Sequence, residues 1–394
     1  MRTRFLLAAD IGGTNSRFAL FRLEEEPCSG APPYSPGGAW LSLQARSRVA
    51  LPTAAHASFG HLLENLRGRK ALGGFSPLGD FAIAALSLAV PGPVSGQGEN
   101  QACRAPNIAW PILAADASRA GAAPATLLND FAAQGLACLL PEALGLRTVL
   151  PGLANPTAPA VIIGAGTGLG KAIILPRRAA LPSGAWVGAE SPPTPFPAVP
   201  PGLDKSAASA VYLPYPGRRE ADLRLDLRIM PSEGGHSLFP FNGQEEADFQ
   251  AFLRKKANRR EVIGDMVVSG SGLAALYAYH AGLDYLPEPP EVTAKLDQQP
   301  QVLEWMARFY GRACRNLVLE TLALGGVYLS GGLLSYLPGL RGHPAFAAEF
   351  RQSETHAATL RNVPVWWVSN QDSGLWGAAL HGVNMLFRAG KSAD

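Results

Sequence analysis

The feature that most constrains this chain is an alternation. Short, continuously apolar runs recur along it: "FLLAAD", "RFALFRL", "FAIAALSLAV", "ATLLND", "PAVIIGAG", "GGVYLSGG" and "VPVWWVS". Between them lie stretches with helical periodicity, such as "ASFGHLLENLRGRKA" and "PQVLEWMARFYGRACRNLVLETLA". An apolar run without alternation suits a strand buried on both faces. Strands of that kind separated by helices form α/β layers. At 394 residues the chain exceeds one ordinary domain. With 47% hydrophobic and 16% charged residues, it has the material for a sizeable core.

Composition also excludes several classes. A formal net charge of +3 is too weak and too dispersed for nucleic acid or a membrane surface as partner. No apolar stretch approaches about 18 residues, so no transmembrane helix is expected. The chain opens Met-Arg-Thr-Arg and then turns apolar, but Asp10 ends that run well short of a signal-peptide core. Cys28, Cys103, Cys138 and Cys314 are far apart and lack Cys-x-x-Cys spacing. They suit neither a disulfide scaffold nor a zinc site. A cytoplasmic protein with free thiols is expected. The segment from about 177 to 230 differs from the rest, with "AESPPTPFPAVPPGL" and "YLPYPGRREADLRLDLRIM". So many prolines exclude a central strand or a helix interior there. It reads as a long surface insertion, either a tolerated loop or the edge of a lid or subunit contact.

Three glycine clusters interrupt the apolar runs. In "LLAADIGGTNSRFALF" a strand, a Gly12-Gly13 turn and a second strand make a hairpin. Its turn offers backbone N–H groups and the Thr14 hydroxyl to an anion. Asp10 at the strand end would repel a phosphate unless a cation lay between them, and Mg²⁺ held through water is the natural one. The bland alternative is a plain hairpin with an exposed Asp. The second cluster, "VIIGAGTGLGKA", fails the dinucleotide fingerprint because Leu169 stands where the last Gly is needed. It fails the P-loop pattern because Ala165 and Ala172 stand at required positions. What remains is a strand followed by the Gly166-Thr167-Gly168 turn. The third, "GGVYLSGGLL", runs a strand into Gly331 and Gly332, where a flat base or ribose can approach the backbone.

Taken in order, Asp-Ile-Gly-Gly-Thr-Asn, Gly-Thr-Gly and Ser-Gly-Gly resemble the two phosphate motifs and the adenosine motif of the sugar kinase, heat-shock ATPase and actin superfamily. Within it the chain is similar to the bacterial glucokinase family, through "LLNDFAAQG" at 127–135, "EGGHSLFP" at 233–240, "VVSGSGLAALY" at 267–277 and "NIAW" at 107–110. The four scattered cysteines do not supply the zinc motif usual in the related repressor and kinase family. The resemblance implies an α/β fold of two ribonuclease-H-like (actin-like ATPase) domains with an interdomain cleft. The smaller would comprise 1–140 plus 372–394, and the larger 141–371 with the insertion at about 177–230. It implies transfer of the ATP γ-phosphoryl group to the 6-hydroxyl of glucose, with sugar deep in the cleft, ATP·Mg²⁺ above it, and closure excluding water. It also allows a homodimer.

The resemblance then assigns roles. Asp10, Gly12, Gly13, Thr14, Asn15, Gly166, Thr167, Gly168, Gly331 and Gly332 would hold the nucleotide, with Asp10 near Mg²⁺ through water. Asp130 would be the base, because phosphoryl transfer needs an oriented hydroxyl and a proton acceptor. By residue type alone, Asn129-Asp130 after an apolar run reads equally as a helix cap, and the two roles can coexist. Asn107, Asn129, Asp130, Glu233, His236 and Asp265 would contact the sugar. Two adjacent glycines disfavour a helix in "EGGH", so a loop is expected there. Asp265 stands where glucokinases of this type usually carry Glu, one methylene longer, which bears on the choice of hexose. A kinase for mannose or an amino sugar, a catalytically inactive sugar-sensing regulator, and an ATPase without a sugar substrate are the alternative readings.

Overall fold

In a computed structural model of the chain, the described residues are 3–27, 39–70, 76–176, 187–188, 210–215 and 228–389. Cys28 and most of the proline-rich segment lie outside them. The principal elements in chain order begin with β1 (Arg4–Ile11), β2 (Asn15–Pro27), β3 (Ala39–Pro52), α1 (Phe59–Gly68), β4 (Ile83–Val90), α2 (Ala114–Gly121), β5 (Ala125–Asn129) and α3 (Asp130–Ala137). They continue with β6 (Leu146–Leu150), β7 (Ala160–Ala165), β8 (Leu169–Ile174), β9 (Ala210–Tyr215), β10 (Ile229–Ser232), α4 (Gln244–Ala257), α5 (Gly270–His280) and α6 (Pro300–Thr321). Last come β11 (Val327–Ser330), α7 (Gly332–Tyr336), α8 (Pro344–Arg351), β12 (Val365–Val368) and α9 (Ser373–Ala389).

The chain divides into two compact units, 1–145 with 194–227 and 372–394, and 146–193 with 228–371. Each is built on a six-stranded sheet. The first has the order β9-β3-β2-β1-β4-β5, the second β10-β8-β7-β11-β12-β6. Both follow one plan. A hairpin, β1–β2 or β7–β8, pairs antiparallel, and its first strand pairs in parallel with the next strand after a helical connection. β5 then extends the parallel half of the first sheet, and β12 that of the second. The continuously apolar runs become the central strands: Leu6 to Ala9 and Val161 to Ala165 are buried throughout. Both faces of such a strand are covered, so alternation has no function there.

The proline-rich segment reaches the described residues at β9, which pairs with β3 at the edge of the first sheet. The expectation placed this stretch in the larger, second domain; the pairing puts β9 in the first unit. β10, with Pro231, is the edge of the second sheet. Edge positions tolerate proline because one side of the ladder needs no N–H donor.

The first core gathers β1, β2, β4, α1 and α2 side chains such as Leu7, Phe18, Leu62, Leu86 and Ala117, and α9 packs on α3, β1 and β4. The second core centres on α6, whose Trp305, Phe309, Tyr310 and Leu317 pack against α5, α8 and the sheet. Through this core runs a buried ion cluster. Arg312, 3% exposed, donates from Nε to Glu349 Oε1 at 2.8 Å and from Nη2 to Glu246 Oε1 at 2.9 Å. Arg308 joins Glu246 at 2.7 Å, and Arg315 joins Glu349 at 3.1 Å. Burial alone would raise the Glu349 carboxyl, but the Arg312 hydrogen bond and the charges of Arg312, Arg315 and Arg308 outweigh it and hold it below its ordinary value.

Removing Arg312 takes one of two arginine partners from each of two buried carboxylates, leaving Arg308 on Glu246 and Arg315 on Glu349. Arg312→Met is therefore expected to lower stability by about 3 kcal/mol, the lower end of the cost of breaking a buried pair, read as a drop in the urea midpoint. Glu349 has a depressed folded value, so its stabilisation is fully present above the ordinary carboxyl value of 4.5 and is lost as pH falls through the lowered one. The wild-type midpoint should fall below about pH 4.5, and Glu349→Gln should flatten that part of the profile.

Candidate active site

Sheet register fixes the first group of candidate residues. β1, β4 and β5 run parallel, with Asp10 opposite Ala89 and Val90 opposite Asn129. Asp10 and Asn129 therefore lie at the carboxyl ends of strands two places apart, roughly 10 Å between backbones. Carboxyl ends of parallel strands are where α/β sheets expose side chains to ligands.

The Gly12–Thr14 turn follows Asp10 after one residue, Ile11. Gly12 N–H closes it by donating to Asn15 O at 3.0 Å, and Thr14 and Asn15 are exposed. A Cβ on Gly12 would come 2.8 Å from the Asn15 carbonyl oxygen, so only glycine fits. The turn is braced from behind by Thr53. Its hydroxyl donates to Gly12 O at 2.6 Å and lies 2.8 Å from the Ser16 hydroxyl, while its N–H donates to Thr14 O at 2.9 Å. Asn107 packs on the same turn, its Cβ 3.1 Å from where a Gly13 side chain would begin.

Asp10 pairs across the hairpin with Arg17. Burial pushes its carboxyl up, Arg17 pulls it down, and the like charge of Asp372 adds to the rise. Gly374, in the first turn of α9, closes on this carboxylate; a Cβ there would lie 2.9 Å from Oδ2. Asp372 is itself paired with Arg48, and among the described residues no group of three or more His, Cys, Asp and Glu side chains that could hold a metal ion occurs. The single Asp10 carboxylate fits a magnesium ion that would be held chiefly by phosphates and water.

Asn129 is the N-cap of α3. Its Oδ1 accepts from Ala132 N at 3.0 Å, and its Nδ2 reaches Gly92 O at 3.4 Å. Asp130 begins the helix, half-buried, with Oδ1 accepting from Phe131 N at 2.9 Å. The cap thus uses one end of the Asn129 amide and fixes the direction of both side chains.

The second group belongs to the other unit. Gly166–Gly168 is the turn of the β7–β8 hairpin, closed by Gly166 N–H donating to Gly168 O at 2.9 Å. β11 lies beside β7 in parallel, with Ser330 opposite Gly164, which brings Gly331 to the same end. Gly331 has φ +90°, and a Cβ there would overlap the Ala165 carbonyl. Gly332 starts α7.

Glu233 precedes a single 3₁₀ turn, Gly234–His236, so "EGGH" is a tight loop rather than an α-helix. The Glu233 and His236 side chains are 58% and 57% exposed, their polar atoms 3.6 Å apart, and open to a ligand. Asp265 is only 27% exposed and already engaged: Oδ1 accepts from Leu169 N at 2.8 Å, and Oδ2 lies 3.8 Å from His236 Nδ1. Each sheet thus gathers its own set of candidates. A cavity of about 760 Å³ beside Arg308, Arg312 and Glu349 is lined by none of them.

Sequence reading missed Thr53, Gly374 and Lys171. Thr53 and Gly374 carry no local signal, because their partners are 41 and 364 positions away in the chain. Lys171 was visible only as part of a failed P-loop, yet its Nζ donates to Gly234 O at 3.1 Å.

Two sheets of one plan, each with a glycine turn between its first two strands, define an α/β protein of the actin-like ATPase fold, the class of the sugar kinases. The Glucokinase family model matches residues 7–188 and 223–385, and the chain belongs to that family. It is 28% identical over 385 residues to the glucokinase of Pseudomonas paraeruginosa, covering 95% of this chain and 91% of that one. It is 28% identical over 387 residues to the glucokinase of Brucella suis, covering 94% and 89%. Among solved structures, a glucokinase from an Antarctic psychrotroph superposes with a TM-score of 0.62 at 22% identity, covering 96% of this chain and 99% of that one. A Balamuthia mandrillaris glucokinase in complex with glucose gives 0.64 at 16%, covering 97% and 94%. At such identities the structural likeness speaks to the fold.

The close approach at Gly331 gives a direct test of this packing. Gly331→Ala combines a left-handed backbone with overlap on the Ala165 carbonyl, and should cost of order 2–4 kcal/mol. A thermal midpoint several degrees below wild type is the expected reading.

Proposed function

We propose that the chain is an ATP-dependent glucokinase, forming glucose 6-phosphate and ADP. The observation that carries this reading is the register of the first sheet, which sets Asn129-Asp130 at the same strand ends as Asp10 and the Gly12–Thr14 turn. Phosphoryl transfer needs little covalent work from a protein; positioning and charge compensation dominate.

In this reading Asp130 accepts the proton of the glucose 6-hydroxyl as that oxygen attacks the γ-phosphorus. The bond from the γ-phosphorus to its bridging oxygen breaks, and ADP departs. The Asn129 amide, held by its cap bond, orients the sugar beside Asp130, and Asn107 adds a contact from the loop over Gly13. Glu233 accepts hydrogen bonds from neighbouring ring hydroxyls, and His236 and Asp265 complete the sugar set. Backbone N–H groups of the two turns other than those of Gly12 and Gly166, which close them, receive phosphate oxygens together with the Thr14 and Thr167 hydroxyls. Gly331 and Gly332 leave room for the adenosine. Asp10 would hold a nucleotide-bound magnesium ion through water, and the ion would supply charge compensation to the phosphates.

No helix among the described residues is long and apolar enough to cross a membrane. Cys138 and Cys314 are buried free thiols, which fits a reducing cytoplasm as the place of action.

The test is ADP formation with Mg·ATP and a hexose panel, each sugar beside a no-sugar control. Glucose is expected to give the highest kcat/KM. A preference for mannose or an amino sugar would replace the substrate, and sugar-independent turnover would remove the kinase reading. Asp130→Asn should lower kcat by about 10²–10⁴-fold, the usual contribution of a general base, with glucose affinity within a few-fold of wild type. Wild-type-like turnover in that variant would exclude Asp130 as the base. Asp10→Asn should raise the Mg²⁺ concentration needed for half-maximal rate by about tenfold, one unit charge being lost beside the phosphates.

A further inference from the structure

One short segment of the second unit touches both ligand-facing turns. Gly264 N–H donates to Ser237 O at 3.0 Å, just after the Glu233–His236 turn. Gly270 N–H donates to Gly166 O at 2.8 Å, at the start of the Gly166–Gly168 turn. Between these two points stands Asp265. Its Oδ1 accepts from Leu169 N at 2.8 Å, the first residue after the phosphate-side turn. Its Oδ2 faces His236 Nδ1 at 3.8 Å, the last residue of the sugar-side turn. The carboxylate is enclosed by glycine on both flanks. A Cβ on Gly168 would come 2.8 Å from Oδ2, and one on Gly235 would overlap Oδ1.

A second link runs alongside. Lys171, half-buried in β8, donates from Nζ to Gly234 O at 3.1 Å. A Cβ on Gly234 would meet the Lys171 side chain at 3.1 Å. Burial lowers the Lys171 ammonium, while the charges of Glu320 and Asp265 pull it back up. The sugar-side turn is thus held from β8 by a cation on its carbonyl, and from the 264–270 segment by a carboxylate facing its imidazole.

We propose that Asp265 is a positioning residue that staples the Glu233–His236 turn to the Gly166–Gly168 turn, with Lys171 as the second leg. This rests on the proposed function, which gives sugar to the first turn and nucleotide phosphate to the second. A carboxylate spent on Leu169 N–H has one oxygen fewer for a sugar hydroxyl. Its main effect is then on the shape of both turns, so a single substitution reaches both substrates. A residue that only contacts sugar moves the sugar constant alone.

The experiment measures KM for glucose and for ATP, together with thermal midpoints, in Asp265→Ala, Asp265→Asn and Lys171→Met. Asp265→Ala should raise both KM values at least fivefold. Asp265→Asn keeps an amide oxygen for Leu169 N–H but loses the charge facing His236. It should return the ATP KM to within twofold of wild type while the glucose KM stays raised. Lys171→Met should raise the glucose KM alone. An Asp265→Ala enzyme with raised glucose KM and unchanged ATP KM overturns the staple and leaves a simple sugar contact. If Asp265→Ala does not fold, an Asp265→Asn enzyme with both constants at wild-type values overturns it equally. Amide hydrogen exchange separates this proposal from the reading beneath it. Should the wild type phosphorylate no hexose, the proposed function falls. The staple still predicts that Asp265→Ala speeds exchange at Gly234–His236 as well as at the phosphate-side turn, and that Asp265→Asn speeds it at Gly234–His236 alone; faster exchange at Leu169 alone in Asp265→Ala would overturn it.

Discussion

Each unit depends on a tight glycine turn joining two strands that are buried on both faces. The strands must be apolar to lie at the centre of a sheet. The turn between them must still present polar backbone at the sheet's end. Gly12 shows what this requires in the first unit, where a methyl group would press on the Asn15 carbonyl, and Gly168 in the second, where one would come 2.8 Å from Asp265 Oδ2. The turn then has N–H groups to offer only if something else holds its shape. In the first unit that support is Thr53, which engages the backbone of both Gly12 and Thr14. In the second it is the 264–270 segment, through Gly270 N–H and the Asp265 carboxylate.

The same economy explains how the polar residues around the turns are oriented. Asn129 caps α3 with its amide oxygen, and that bond fixes where Asp130 begins the helix. A cap is worth about 1 kcal/mol, so one residue serves stability and orientation together. Asp10 lies between Arg17, Asp372 and Gly374, a cationic, an anionic and a featureless neighbour. Its carboxyl is raised by burial, and a carboxylate in such a place gains from a nearby cation. The ion cluster of the second unit has the opposite character. There Arg308, Arg312 and Arg315 pair with the buried carboxylates of Glu246 and Glu349. Those charges hold helices together.

Much of this was legible in the sequence. The apolar runs gave the central strands, because a strand covered on both faces needs no alternation. Gly12-Gly13 and Gly166-Thr167-Gly168 marked the hairpin turns, and the two adjacent glycines of "EGGH" excluded an α-helix there. The placement of β9 was not legible. The prolines of its segment excluded a central strand and read as a surface insertion; that part of it pairs as an edge strand, and with which sheet, no local feature says. Asp265 was legible as an acid near the sugar motifs. Its bond to Leu169, 96 positions away, was not.

By itself the sequence determined which stretches are strands and helices, where the backbone turns, and which side chains have chemistry to offer. Those properties follow from residue type and spacing over a few neighbours. Only the tertiary structure decided which of them meet. It set Asp10 and Asn129 at the ends of strands in one sheet, placed Thr53 behind the Gly12 turn, and closed Gly374 on the Asp10 carboxylate. It gave Lys171 and Asp265 a shared hold on the Glu233–His236 turn. Such pairings join residues tens to hundreds of positions apart. They are fixed by sheet register and by packing over both faces, which no local window of sequence contains.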